Sequence, residues 1–294
     1  MRRRFLVLVN PTAGVKGRGL LPRVVAALER RDAEVVIEAP ARATEMRRRA
    51  TEAAADRNFD AIVAAGGDGT FREVAIGALG TTIPVGLVPL GNGNVLAHDL
   101  GLGRDPERIA HVLMEGGAAE VVGGLANGEP FFLMAGAGFD ARVAARLNRR
   151  LQNRLGSLAY APPITSAIVG TPDRLRVTVD GREHDAGWVV VSNARHYAGA
   201  FELVRGTDVL EPGLHAVLFP PHGRTALIGG LLALAAGRLH RRRDIAIIPC
   251  RRVEVHADRP VPVEIDGDPF AATPLLIEPH PQTVRVIVDH FRQR

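Results

Sequence analysis

Over the first hundred residues, short unbroken apolar runs alternate with stretches whose apolar positions recur every three or four residues. FLVLVN (5–10), AEVVIEA (33–39), DAIVAAGG (60–67) and PVGLVPLG (84–91) have the length and composition of strands covered on both faces. Between them, LLPRVVAALERR (20–31), TEMRRRATEAAA (44–55) and TFREVAIGAL (70–79) read as helices, the second with Thr44 as its N-cap. This alternation predicts βα units: a parallel sheet with helices on its faces. From about Glu120 the period changes. RVTVDG, GWVVVSNA, LHAVLF, RRVEVHA, VPVEIDG and VRVIVDHF are short, β-branched, partly alternating and bounded by Gly, Pro or Asp-Gly, which predicts an antiparallel sheet or sandwich. No fixed-period repeat or low-complexity linker separates the two textures.

Composition narrows the class. A chain of 294 residues with 46% apolar content can bury one large core or two ordinary ones. Its net charge of +5 would favour acidic partners, but arginine supplies nearly all of it, Lys16 being the only lysine, so the charge reflects codon bias more than a partner. Cys250 is the sole cysteine; an intramolecular disulfide and a thiolate metal cluster are excluded, and a reducing cytosol fits. The start, MRRRFLVLVNP, reads as a first strand and not as a signal peptide. The longest apolar run, ALIGGLLALAAG from Ala226, is shorter than the roughly 18 to 20 residues of a membrane span. The ten histidines show no metal-ligand spacing.

Three glycine loops follow predicted strands: Asn10-Pro11-Thr12-Ala13-Gly14, Gly66-Gly67-Asp68-Gly69-Thr70, and Pro89 to Asn94. They sit at the carboxyl ends of parallel strands, where open α/β sheets bind ligands. Glycines let amides approach phosphate oxygens, and the helix N-termini that follow add partial positive charge.

The stretches NPTAG, GGDGTFREV, PLGNGNVLAHDLGL, GAGFDA and VEIDGD, in this order, resemble the diacylglycerol kinase catalytic-domain family, which includes bacterial lipid kinases and the sphingosine and ceramide kinases. The resemblance implies an N-terminal α/β domain like that of NAD kinases and phosphofructokinases (1–120) and a C-terminal β-rich sandwich domain (121–283). The last strand, about 284–294, is a candidate to return to the first domain. It also implies ATP and Mg²⁺ as cofactors and a lipid acceptor, most closely diacylglycerol. Nucleotide contacts would come from Asn10, Pro11, Thr12, Ala13, Gly14, Thr44, Gly66, Gly67, Asp68, Gly69, Thr70, Glu73, Gly91, Asn92 and Asn94. No residue is assigned as a metal ligand. The expected setting is cytoplasmic, with peripheral contact at the inner face of the membrane, a homodimer left open and no nucleic-acid partner.

Two aspartates carry the chemistry in this resemblance. Asp266 matches the general base of bacterial relatives, while Asp68 serves metal or nucleotide organisation, or is itself the base as in sphingosine kinases. Sequence physics alone reads Asp266-Gly267 as a type I′ hairpin turn, and Asp140 equally as a helix N-cap or a contact to the lipid head group. Several positions depart from the family pattern: Asn92 stands for threonine, Arg72 for asparagine, Asp268 for glutamate and Val122 for an aspartate. Glu211-Pro212 replaces an Asp-Asp pair that holds a structural Mg²⁺ in relatives, so that site is expected to be lost or weakened. GRLHRRRD (237–244) after the apolar run suggests a helix lying on an anionic membrane or simply a solvated helix end. Two other functions stay open: a kinase for a soluble acceptor such as NAD, and a non-catalytic lipid- or nucleotide-binding protein.

Overall fold

A computed structural model of the chain describes residues 1–11, 19–56, 58–147, 159–170, 173–221 and 223–289. The chain forms two compact units: Met1–Val121 with Gln282–Arg294, and Val122–Pro281.

In the first unit, β1 (Arg4–Val9), β2 (Glu34–Glu38), β3 (Ala61–Gly66) and β4 (Val85–Pro89) form a parallel sheet in the order β2-β1-β3-β4. The stretch from Gln282 to Val288 extends it, with Val286 beside Val85 in parallel. β3 and β4 are buried along their whole length, which explains their uninterrupted apolar sequence. Helices α1 (Leu20–Glu29), α2 (Ala43–Asp56), α3 (Asp68–Ala78), α4 (Val95–Asp99) and α5 (Pro106–Glu115) accompany the strands. α1 and α5 pack together over one core built on Phe5, Val24, Leu28, Val63, Ile109 and Leu113. α2 and α3 pair through small residues: Gly77 lies so close to α2 that a Cβ there would come within 2.6 Å of the Ala50 Cβ.

The second unit is a β-sandwich. β7 (Met134–Ala137), β10 (Trp188–Ser192), β13 (Leu214–Phe219), β14 (Ala246–Cys250), β16 (Pro262–Ile265) and β17 (Asp268–Ala272) make an antiparallel sheet in the order β14-β13-β10-β7-β16-β17. Opposite it lie β8 (Leu175–Val179), β9 (Arg182–Ala186), β15 (Val253–His256) and the first part of β18 (Leu275–Val288), with β5 (Gly117–Ala126) paired to β6 (Glu129–Phe131). Alternate residues of both sheets, among them Val177, Val189, Val191, Leu214, Val255 and Ile265, share one core, as sandwich packing requires. A small ribbon of β11 (His196–Tyr197) and β12 (Phe201–Glu202) and the helices α6 (Phe139–Arg146), α7 (Ala161–Val169) and α8 (Gly223–Ala235) complete the unit.

The observed class, an α/β unit with a parallel sheet and a β-rich sandwich, is the one the periodicity predicts. Two local expectations change. α2 begins at Ala43, so Thr44 lies exposed inside its first turn and is not the N-cap; the Glu45 carboxylate accepts the N–H of Ala41, two residues ahead of the helix, at 3.1 Å. α6 begins at Phe139 after Gly138, which puts Asp140 within the first turn and not at the N-cap. Among the described residues no helix is long and apolar enough to cross a membrane.

Candidate active site

The glycine loops of the first unit meet backbone to backbone. Leu90 and Gly91 donate their N–H groups to Gly66 O at 2.9 and 3.2 Å. A Cβ on Gly91 would stand 2.6 Å from the Gly67 Cα, and one on Gly66 would collide with the Thr70 hydroxyl at 2.1 Å. No side chain larger than hydrogen fits at either position without moving the main chain or Thr70. The buried Thr70 accepts a hydrogen bond from Asn10 Nδ2 at 3.3 Å, while Asn10 N–H donates to Ala65 O. Asn10, Gly66, Gly67, Thr70 and Gly91 thus form one connected surface at the carboxyl ends of β1, β3 and β4. Pro11 and Asn92 are exposed beside it and Gly69 lies in the first turn of α3. Thr12, Ala13 and Gly14, and with them Lys16, fall outside the described residues.

Asp68 holds this surface together. Its Oδ2 accepts the Val95 N–H at 3.0 Å and its Oδ1 the Leu96 N–H at 3.1 Å. One carboxylate at the start of α3 therefore caps the start of α4, satisfying two donors a helix leaves unpaired. Asn94, in the left-handed conformation at φ 51°, completes the corner by donating from Nδ2 to Gly91 O at 2.7 Å. Burial pushes the Asp68 pKa up, the Val95 and Leu96 N–H bonds oppose it, and Asp99 adds a smaller upward push.

Glu73 is placed differently from the other expected nucleotide contacts. It is buried on α3, with its carboxylate bound by Arg47 from α2 at 3.0 Å and by Arg72 at 3.3 Å. Its visible work is to neutralise two guanidinium groups between the helices, and Arg72, the unusual residue here, is half of that arrangement. Sequence reading missed Arg104, whose Nη2 donates to Pro89 O at 3.1 Å and Gly91 O at 3.3 Å. An arginine in a loop between two helices carries no signal of its own; only the fold brings it to the glycine strand end.

In the second unit, Asp266 and Gly267 take φ of 48° and 82° in the two-residue link between β16 and β17, the signature of a type I′ turn. The hairpin reading of these residues describes their backbone. The carboxylate does more: it accepts N–H bonds from Phe132 at 3.1 Å, Leu133 at 2.9 Å and Met134 at 3.1 Å, while Asp266 N–H donates to Met134 O. Asn193 braces the same segment, donating from Nδ2 to Phe132 O and from its backbone to Leu133 O. Asp268 begins β17, half-buried.

Behind the turn lies a group that sequence reading did not assemble. Asp140 and Glu264 are buried at 6% and 2% exposure. Trp188 adjoins them, stacked on Phe219 with ring centroids 3.8 Å apart and packed near Phe139 and Tyr197. The signal for Glu264 was faint: in VEID an acid occupies a strand position whose neighbours are apolar on both sides.

A glycine-lined strand end followed by helix N-termini is the arrangement that open α/β sheets use to receive ligands, here joined in one chain to a β-sandwich unit. Comparison with known proteins gives this class its family. Residues 4–125 match the model described as the diacylglycerol kinase catalytic domain, and residues 134–288 the model described as the YegS C-terminal NAD kinase beta sandwich-like domain. A diacylglycerol kinase of Staphylococcus saprophyticus is 32% identical over 278 residues, covering 91% of this chain and 90% of that protein. One from Bacillus subtilis is 27% identical over 278 residues, covering 90% of each. The crystal structure of a diacylglycerol kinase from Bacillus anthracis superposes with a TM-score of 0.78 at 22% identity, covering 98% of both chains, and so shares the fold. The chain belongs to the diacylglycerol kinase family of lipid kinases.

The cap assigned to Asp68 is testable without substrate. Asp68→Asn turns one acceptor into a donor facing a backbone N–H, so the unfolding free energy should fall by about 1 to 3 kcal/mol. Denaturant titration of the purified variant reads this directly; unchanged stability would remove the cap.

Proposed function

We propose that this protein transfers the γ-phosphoryl group of ATP to a lipid hydroxyl, with diacylglycerol the leading acceptor. The observation that carries the reading is the fused pair of glycine loops, Gly66-Gly67 on Gly91, at the start of α3. Close backbone approach there leaves room for phosphate oxygens against main-chain amides and a helix N-terminus. Mg²⁺ suits a site of this kind, since it is held by one or two carboxylates together with substrate phosphates; Asp68, the one carboxylate within the glycine surface, is the residue that would hold it. When bound, the ion neutralises charge across the phosphates.

The reaction forms a bond from the acceptor oxygen to the γ-phosphorus and breaks the bond from that phosphorus to the β–γ bridging oxygen, leaving ADP. The acceptor hydroxyl loses its proton to a carboxylate, and we assign that task to Asp266. Its three backbone N–H partners hold the side chain in one orientation, which general base catalysis requires. A soluble acceptor has no specific observation in its favour.

A lipid acceptor calls for a membrane-facing surface, and we assign that role to α8 of the second unit. On α8, Arg224, Ile228, Leu232 and Ala235 fall on one helical stripe and all are exposed, Leu232 at 66%. The neighbouring α7 carries no charged residue and exposes Val169 at 58%. Arg224 donates to Val169 O, and Arg146 donates to Ser166 on α7. Exposed Arg238, Arg241 and Arg243 follow α8 in sequence. An apolar stripe edged with arginines matches an anionic bilayer surface, each cation contributing about 1 kcal/mol.

Radiolabelled ATP with Mg²⁺ and mixed-lipid micelles should give a labelled lipid with the wild type and none with Asp266→Asn, whose nucleotide affinity stays close to normal. Label appearing only in a soluble acceptor would overturn the lipid assignment, and normal turnover in the variant would remove Asp266 as the base. For the surface, flotation with phosphatidylglycerol-containing vesicles should recover the wild type, and Ile228→Asp/Leu232→Asp should reduce recovery at least about tenfold. Equal flotation of both proteins would place membrane contact elsewhere.

A further inference from the structure

Two buried carboxyls in the second unit have a geometry that ordinary hydrogen bonding leaves incomplete. Glu264 on β16 stands directly across from Gly136 on β7 in the antiparallel register. Gly136 has no side chain, and Asp140 fills the vacant place: its Oδ2 lies 2.5 Å from where a Cβ would be. Directly opposed side-chain positions on adjacent strands are only about 5 Å apart, so the two acids are brought to one spot. Each has one oxygen accounted for. Asp140 Oδ1 accepts the Ala141 N–H at 2.8 Å, and Glu264 Oε2 accepts the Gly267 N–H at 2.7 Å. The remaining oxygens, Asp140 Oδ2 and Glu264 Oε1, are buried and make no close hydrogen bond, with the indole N–H of Trp188 the neutral donor that faces Asp140. As carboxylates both are acceptors only, and the single indole N–H of Trp188 leaves the two acids still facing each other, so a proton is what can join them.

We propose that Asp140 and Glu264 share a proton, and that through the Gly267 N–H this pair acts as a positioning device for the turn that presents Asp266. The chemistry of the surroundings agrees. Burial, followed by the charge of Asp140, raises the Glu264 carboxyl well above its ordinary range, with Asp266 and Asp268 adding to it. Burial likewise pushes Asp140 up to about 7, against smaller opposing contributions led by Trp188. The Tyr197 phenol faces both acids and is held neutral by burial and by their charges. Arg142, on the same helix as Asp140, is engaged by Asp173, and α7 brings no charge. Asp266 meanwhile takes three backbone N–H bonds and Glu264 one. Neighbouring carboxyls thus sit in different surroundings, Asp266 among backbone N–H donors and the pair among few, the separation by environment that acid–base sites use.

Loss of the shared proton at alkaline pH leaves two adjacent buried anions. Their repulsion moves Glu264 off Gly267 and loosens the turn. The inference rests on the kinase reading only for its kinetic consequence, so the closing experiment includes a readout that needs no substrate. In ¹⁵N-labelled protein, the Gly267 amide resonance should shift in a single titration between about pH 5 and about pH 9, the range that brackets a raised buried carboxyl. Glu264→Gln should abolish that shift, because its amide can accept from Gly267 through oxygen and donate to Asp140 through nitrogen without titrating. Asp140→Asn should do the same from the other side. In turnover, the wild type should lose kcat on the alkaline limb with KM little changed, and Glu264→Gln should lack that limb. A Gly267 resonance that does not move with pH in the wild type, or moves equally in both amide variants, overturns the pair. If the resonance behaves as expected but no lipid is phosphorylated, the pair stands and the kinase reading fails.

Discussion

Backbone N–H groups bound to a single carboxylate hold the chemically important corner of each unit. Asp68 ties the first turn of α4 to the first turn of α3 through two such bonds, and Asp266 ties residues 132–134 to the β16–β17 turn through three. Net bonds of this charged type contribute roughly 1.5 to 3 kcal/mol each, and a buried donor left without a partner costs a similar amount. Neither aspartate can change its chemistry without disturbing the chain it organises. On the proposed reading, catalytic positioning and local stability would be carried by the same atoms.

The glycines set the shape of the first of these corners. Gly66, Gly67 and Gly91 let two loops touch main chain to main chain, and Thr70 and Asn10 fill the space beside them. Helix N-termini then face the same strand ends. Arg104 stiffens the arrangement from outside by binding two loop carbonyls. Apart from Gly66 with Thr70, these contacts span gaps of many residues in sequence, so the loop surface depends on β1, β3 and β4 running parallel.

Much of this was legible in the sequence, for identifiable reasons. β3 and β4 are fully buried and read as apolar runs; the sandwich strands are buried on one face and alternate. Asp-Gly between alternating runs announced the β16–β17 turn, and the glycine loops carried the family. What stayed hidden depends on register and tertiary placement. Glu264 meets Asp140 because β16 pairs with β7 at Gly136, a register that no local pattern encodes. Glu73 is expected as a nucleotide contact, and its ion pair with Arg47 emerged only when α2 packed on α3, Arg72 being its neighbour on α3 itself. Thr44 looked like a cap because boundary signals blur over a residue or two; the helix begins one residue earlier, at Ala43. The apolar run of α8 with the arginines after it suggested a membrane-lying helix or a solvated helix end, and which of its residues are exposed emerged only from the packing of the helix.

The central claim is that the glycine surface of the first unit receives the nucleotide phosphates. The most direct measurement is a titration of ¹⁵N-labelled protein with a non-hydrolysable ATP analogue and Mg²⁺, following backbone amide resonances. The account predicts saturable shifts concentrated at Gly66, Gly67, Asp68, Gly69, Gly91 and Asn92, larger than anywhere on the β-sandwich core. Binding that leaves these amides unmoved, with the shifts gathered elsewhere, would contradict it.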